Sequence, residues 1–192
     1  MPDTPATPTS GAATAIDAMP QAPDPMSLLT DRERVAEHAH VLPDDLRERV
    51  LADRPFEMRS VDGPQNPFQP QEQPPNRMFW LRTSDRLPDD PALHRYLLAY
   101  ASDFNFLNTS LRPHAVAWFS PKVQIASVDH VMWFHRPFRV DQWLLHVVDS
   151  PSASGGRGFV RGRIFSQDGA LVASTAQEGL IRRRTKTSGG PK

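Results

Sequence analysis

At 192 residues the chain accommodates one domain with tails and is short for two. Its 22 Lys and Arg balance 22 Asp and Glu, and no long basic run occurs, so a nucleic-acid surface is not indicated. The absence of cysteine excludes a disulfide framework, a Cys nucleophile and thiolate zinc sites.

No apolar run approaches the ~20 residues that cross a bilayer. The N-terminus lacks a basic region followed by an apolar one, and the terminal Gly190-Pro191-Lys192 is no peroxisomal address. The expectation is a cytoplasmic protein without a membrane partner. Arg182, Arg183 and Arg184 read as a solvated strand end.

Residues 1–26 are Pro, Ala, Thr, Ser and Asp with almost no large apolar side chain, and are expected to be a disordered tail. A helical lead-in over 27–52 follows. Its first helix runs from Ser27 to about His40, N-capped by Thr30 or Asp31, and its second from Asp44 to Ala52. Phe56–Val61 partly alternates as a half-buried strand does. Residues 62–76 hold five prolines and read as loop. Arg77–Arg82 is a short strand. Asp89-Asp90-Pro91 then opens the best helix of the chain. Leu93, Tyr96, Leu97, Tyr100, Ala101 and Phe104 are expected to form its one apolar face. Pro113 ends whatever helix remains. Strands are expected over Val123–His135, Trp143–Val148, Gly158–Ser166 and Leu171–Arg182, with Asp168-Gly169 as a hairpin turn. On the last strand Leu171, Ala173, Thr175, Gln177, Gly179 and Ile181 share a face. One helix covering an antiparallel sheet is the α+β solution.

Three small polar side chains sit inside these apolar segments: Asp103, Ser127 and Gln177. Core positions do not accept a carboxylate, a hydroxyl and an amide without partners. If they converge, they make a carboxylate-based water site in an apolar pocket, which points to a hydrolase. Taken singly, Asp103 also reads as a helix-terminal polar residue, Ser127 as an ordinary strand serine, and Gln177 remains open between core and site. Asp129, His130 and His135 are metal-ligand types. On one strand, however, His130 and His135 face opposite sides, and no metal or cofactor is expected. The glycines of 156–162 have the wrong spacing for a dinucleotide loop, and no G-x-S-x-G elbow exists.

Three segments carry a resemblance: DHVMWFHRPF (129–138), SASGGRGFVRG (152–162) and QDGALVASTAQEG (167–179). With DRPFEMRSV (53–61) and LPDDPALHRYLLAYASDFNFL (87–107) they follow one another as in the acyl-CoA thioesterase II family. The chain resembles the C-terminal half of that double-hot-dog type over roughly 45–183. The resemblance implies a single hot-dog domain over 53–183, an antiparallel sheet wrapped around one long helix, with a disordered tail at 184–192. It implies hydrolysis of fatty acyl-CoA to free acid and coenzyme A. It places the catalytic trio on Asp103, Ser127 and Gln177, with no cofactor. The hydroxyl position is often Thr in the family; Ser keeps the Oγ and leaves χ1 less restricted. Arg157 or Arg161 would meet coenzyme A phosphates, or else be exposed strand charges.

In the family an N-terminal hot-dog domain precedes this one. A lone half would expose a sheet edge, so a homo-oligomer or pairing with another hot-dog domain is expected. The alternative functions are an acyl-CoA-binding module without turnover and an enoyl-CoA hydratase. For the latter the Asp103 neighbourhood offers His114.

Overall fold

The computed structural model describes residues 18–41, 44–63, 69–117 and 120–184. In the lead-in, α1 (Asp31–His38) is capped by Thr30, whose Oγ1 accepts from Glu33 N while Glu33 Oε2 accepts from Thr30 N. This reciprocal box satisfies two N–H groups that the helix start leaves unpaired. A second helix, α2 (Asp44–Leu51), precedes strands β1 (Phe56–Ser60) and β2 (Asn76–Thr83).

The central helix is α3 (Pro91–Ser102), with the Asp90 carboxylate accepting from Ala92 N at 2.9 Å. Its buried stripe is His94, Leu98, Ala101 and Ser102. The expected face is therefore rotated: Tyr96 and Tyr100 are 72% and 59% exposed, while Leu97 and Phe104 flank the core. A histidine hid the true stripe. His94 is buried with its Nδ1 accepting from the Val140 backbone N–H at 3.2 Å, while its Nε2 has no partner among the described residues. Beyond Asp103 the chain turns through Asn105, at φ 59°, into a 3₁₀ segment, Leu107–His114, which contains Pro113.

Five strands follow: β3 (Val123–Ser127), β4 (Val131–Phe134), β5 (Leu144–Ser154), β6 (Arg157–Ser166) and β7 (Leu171–Arg183). All seven strands form one antiparallel sheet in the order β1-β2-β5-β6-β7-β3, with β4 also on β7. The single strand expected over 123–135 is thus two. Val128 and Asp129 both donate their N–H to Glu178 O, and Asp129 Oδ1 takes the Glu178 N–H at 2.7 Å, so a turn interrupts the ladder. β3 and β4 consequently occupy successive stretches of the same side of β7.

The inner face carries the main core, where Leu98, Ala101, Phe106 and Leu107 meet Phe79, Leu81, Val160 and Ile164. Close approach there needs glycines. A Cβ on Gly179 would lie 2.2 Å from Leu107 Cδ2, and one on Gly162 would lie 2.3 Å from both His146 Nε2 and Thr175 Oγ1. The opposite face holds a second cluster of Trp80, Trp143, Leu145 and Phe165. Leu171 packs there rather than with Ala173, because the register shifts between Ile164 and Phe165.

The same outer cluster corrects the expected extent of the N-terminal tail. Residues 18–26 are ordered: Met19 and Ala22 pack on the cluster, and Trp80 Nε1–H donates to Pro23 O at 2.9 Å. Arg59 also donates to Leu28 O at 2.7 Å. Apolar cover and two buried donors replace the core that this segment lacks. Residues 1–17 and 185–192 lie outside the described residues.

Candidate active site

The three polar intrusions meet. Asp103 is the C-cap of α3, Ser127 ends β3, and Gln177 lies mid-way along β7 on its inner face. Gln177 Nε2 donates to Asp103 Oδ1 at 2.8 Å and to Ser127 Oγ at 2.6 Å. Gln177 is 0% exposed, whereas Asp103 and Ser127 open to the surface. A buried amide therefore joins two accessible groups.

The chemistry of the partners fixes the protons. An amide carries two N–H hydrogens, and a carboxylate can only accept, so the NH₂ end faces Asp103. The second hydrogen goes to Ser127 Oγ. Ser127 thus accepts from Gln177 and keeps its own O–H free to donate outward. Asp103 keeps its second oxygen free to accept. Gln177 Oε1 is buried without a protein partner among the described residues.

Around the trio lie groups that the sequence reading did not assign to the site. Ser102, fully buried beside Asp103, has its Oγ 2.8 Å from His130 Nε2. The His130 ring meets the edge of Phe106, centroids 5.7 Å apart. Phe106 in turn stacks on His146 at 5.5 Å. Burial, with Arg77 and His130 nearby, pushes the His146 imidazole down to about 3, so it is neutral. His130 and His135 do bind different partners, Ser102 and Ser174. Neither sits inside β4, so strand alternation was not what separated them. The signal that could have found His130 was its place three residues after Ser127, beyond a strand break.

His114, the hydratase candidate, is exposed at the end of its 3₁₀ segment. It lines a cavity of about 190 Å³ together with Leu111, Val123, Ile181, Arg157 and Arg183. No trio member lines this cavity. Arg157 is paired with Glu178 and Arg161 with Asp149. Among the described residues no group of three or more His, Asp and Glu is placed to hold a metal ion, and no helix is long and apolar enough to cross a membrane.

A family model described as acyl-CoA thioesterase matches residues 45–180. The chain belongs to the acyl-CoA thioesterase family. It is 40% identical over 166 residues to acyl-CoA thioesterase 2 of Haemophilus influenzae, covering 86% of this chain and 58% of that protein. It is 42% identical over 135 residues to human acyl-coenzyme A thioesterase 8, covering 70% and 41%. Among solved structures, the acyl-CoA thioesterase II TesB2 of Mycobacterium marinum superposes with TM-score 0.66 at 37% identity, over 92% of this chain and 60% of that one. A protein of Alicyclobacillus acidocaldarius described as having a hot-dog fold gives TM-score 0.61 at 22% identity, over 92% and 59%, a likeness of fold alone. The domain is thus a hot-dog fold of the thioesterase II family. It spans about half the length of the thioesterases it matches.

Proposed function

We propose that this chain hydrolyses fatty acyl-CoA to free fatty acid and coenzyme A, with water as the direct nucleophile. The observation that carries this reading is the Gln177 amide, which donates to Asp103 and Ser127 at once. Asp103 is the general base. Its free carboxylate oxygen accepts a proton from a water that the Ser127 hydroxyl orients. The water oxygen bonds to the thioester carbonyl carbon, giving a tetrahedral oxyanion. Collapse breaks the C–S bond, and the proton held by Asp103 passes to the leaving sulfur. Gln177 keeps the carboxylate and the hydroxyl at a fixed separation through the cycle. Base catalysis of this kind contributes about 10²–10⁴-fold.

Pairing with a second hot-dog domain, in another copy of the chain or in another protein, completes the reading. β3 and β4 have no strand on their far side among the described residues. Val128, Val131 and Trp133 there are 58%, 43% and 49% exposed. An open edge with apolar side chains is what a soluble protein covers.

The test is thiol release from a panel of saturated acyl-CoAs by the full chain, with Asp103→Asn beside it. Turnover that falls ~100-fold or more in the variant supports water activation by Asp103. Undiminished turnover in Asp103→Asn overturns the mechanism, and no thiol release from the wild-type chain overturns the activity.

A further inference from the structure

We propose that His130 is a positioning residue. Through Ser102 it holds the end of α3, and with it the Asp103 carboxylate, in register with the Gln177 amide. This rests on the reading of Asp103 as the base.

The trio is built on two bodies. Ser127 and Gln177 belong to one: β3 pairs β7, and the turn after Ser127 is clamped to Glu178 by two backbone N–H groups and the Asp129 carboxylate. Asp103 belongs to the other, the last turn of α3. Its side chain is exposed, and the left-handed Asn105 follows two residues on. Among the described residues its carboxylate has one side-chain tie, the Gln177 amide, which holds it only where the end of α3 places it within reach. The Ser102–His130 bond crosses from one body to the other, joining the residue before Asp103 to the turn three residues beyond Ser127.

The direction of that bond follows from its neighbours. Ser102 Oγ lies 2.8 Å from Ala99 O and 2.8 Å from His130 Nε2. A carbonyl cannot donate, and the hydroxyl has one hydrogen. The hydroxyl therefore donates to Ala99 O, and His130 donates its Nε2–H to Ser102. His130 Nδ1 is buried without a partner, so the bond to Ser102 is the polar tie of this ring among the described residues. Phe106 walls the imidazole on its edge. A ring confined in this way sets the depth at which the α3 terminus sits over β7.

His130→Ala is expected to lower kcat by ~10–100-fold with KM little changed, since small misplacements of a reacting group cost rate rather than binding. His130→Gln presents an amide N–H near the Nε2 position and is expected to recover most of the loss; His130→Asn, one carbon shorter, is not. Ser102→Ala should reproduce His130→Ala, and the double variant should add nothing to either, because the two act through one bond. Additive losses, or a Gln variant no better than Ala, overturn the proposal.

A second readout needs no turnover. In the ¹⁵N-labelled full chain, hydrogen exchange of the Gln177 side-chain amide reports whether Asp103 is held against it. Exchange in His130→Ala, or in Ser102→Ala if the former fails to fold, is expected to accelerate ~10-fold or more, and to stay near wild type in His130→Gln. Unchanged Gln177 exchange overturns the role of His130 whatever the activity. Full turnover by Asp103→Asn instead overturns the reading of the base, and the exchange result still decides His130.

Discussion

Ser127 uses its oxygen as an acceptor for Gln177 and keeps its hydrogen for the outward side. The hydroxyl, not the side-chain size, carries the proposed role. Ser127→Thr keeps the Oγ, and steady-state thiol release is expected to stay within a few-fold of wild type. Ser127→Ala removes the group that orients the water, and kcat is expected to fall ~10-fold or more. A different kind of constraint acts at His146, whose ring is fully buried and held neutral down to about 3, against 6.5 when free. The sign follows from proton binding. Between those values the unfolded chain takes up a proton that the native protein refuses, so stability is complete above pH 6.5 and is lost as pH falls. The slope is at most ~1.4 kcal/mol per pH unit. Asp141 belongs to a lower window. Its carboxylate, bonded by Arg139, is held at about 2 against 3.8, so its contribution is complete above 3.8 and fails below. Urea unfolding at pH 7 and pH 4.5 separates the two. Wild type is expected to lose stability across that interval, and His146→Gln to lose less.

Between elements, spacing is set by residues that lack a side chain. The Phe106–His114 stretch sits against β6 and β7 because Gly162 and Gly179 let it approach. At Gly162 an added methyl meets His146, Thr175 and Phe106, all buried, so no neighbour has room to retreat. Gly162→Ala is expected to cost about 1–3 kcal/mol, read as a lower urea midpoint at unchanged m-value. The order of the longer elements, the N-caps at Thr30 and Asp90, and the hairpin at Asp168-Gly169 were legible from local chemistry. Two features were not. The buried face of α3 was misread because Tyr96 and Tyr100 look apolar in a list, and His94 does not. The break between β3 and β4 was missed because Val128 and Val131 continue a strand-like composition through it. In both cases a polar side chain accepts from a distant backbone N–H, His94 from Val140 and Asp129 from Glu178, and overrides the pattern.

In the molecule as a whole, one face of the sheet is closed by α3 and the other by the two tryptophans with residues 19–28, while among the described residues no strand covers the β3–β4 edge. If pairing covers that edge, its exposed aromatic is the place to break it. Trp133→Lys puts a charge at a half-exposed position without touching the core. Light scattering is expected to show an associated wild-type chain and a smaller species for the variant. A wild-type monomer would dismiss self-pairing and leave a separate hot-dog partner as the cover.

What local chemistry dictates was present in the chain from the start. Polar residues in apolar segments pointed to Asp103, Ser127 and Gln177, although of the three only Gln177 is buried, where its amide needs the partners that the other two supply. Their motifs announced the family, since those motifs are runs of adjacent residues. The tertiary structure decided everything that depends on distance across the chain. Seventy-four residues separate Gln177 from the carboxylate it bonds, and fifty from the hydroxyl. No pattern in a linear sequence specifies which hydrogen goes to which oxygen. That assignment, the Ser102–His130 tie and the neutral His146 exist only once helix and sheet are packed, because each needs a partner contributed by another element.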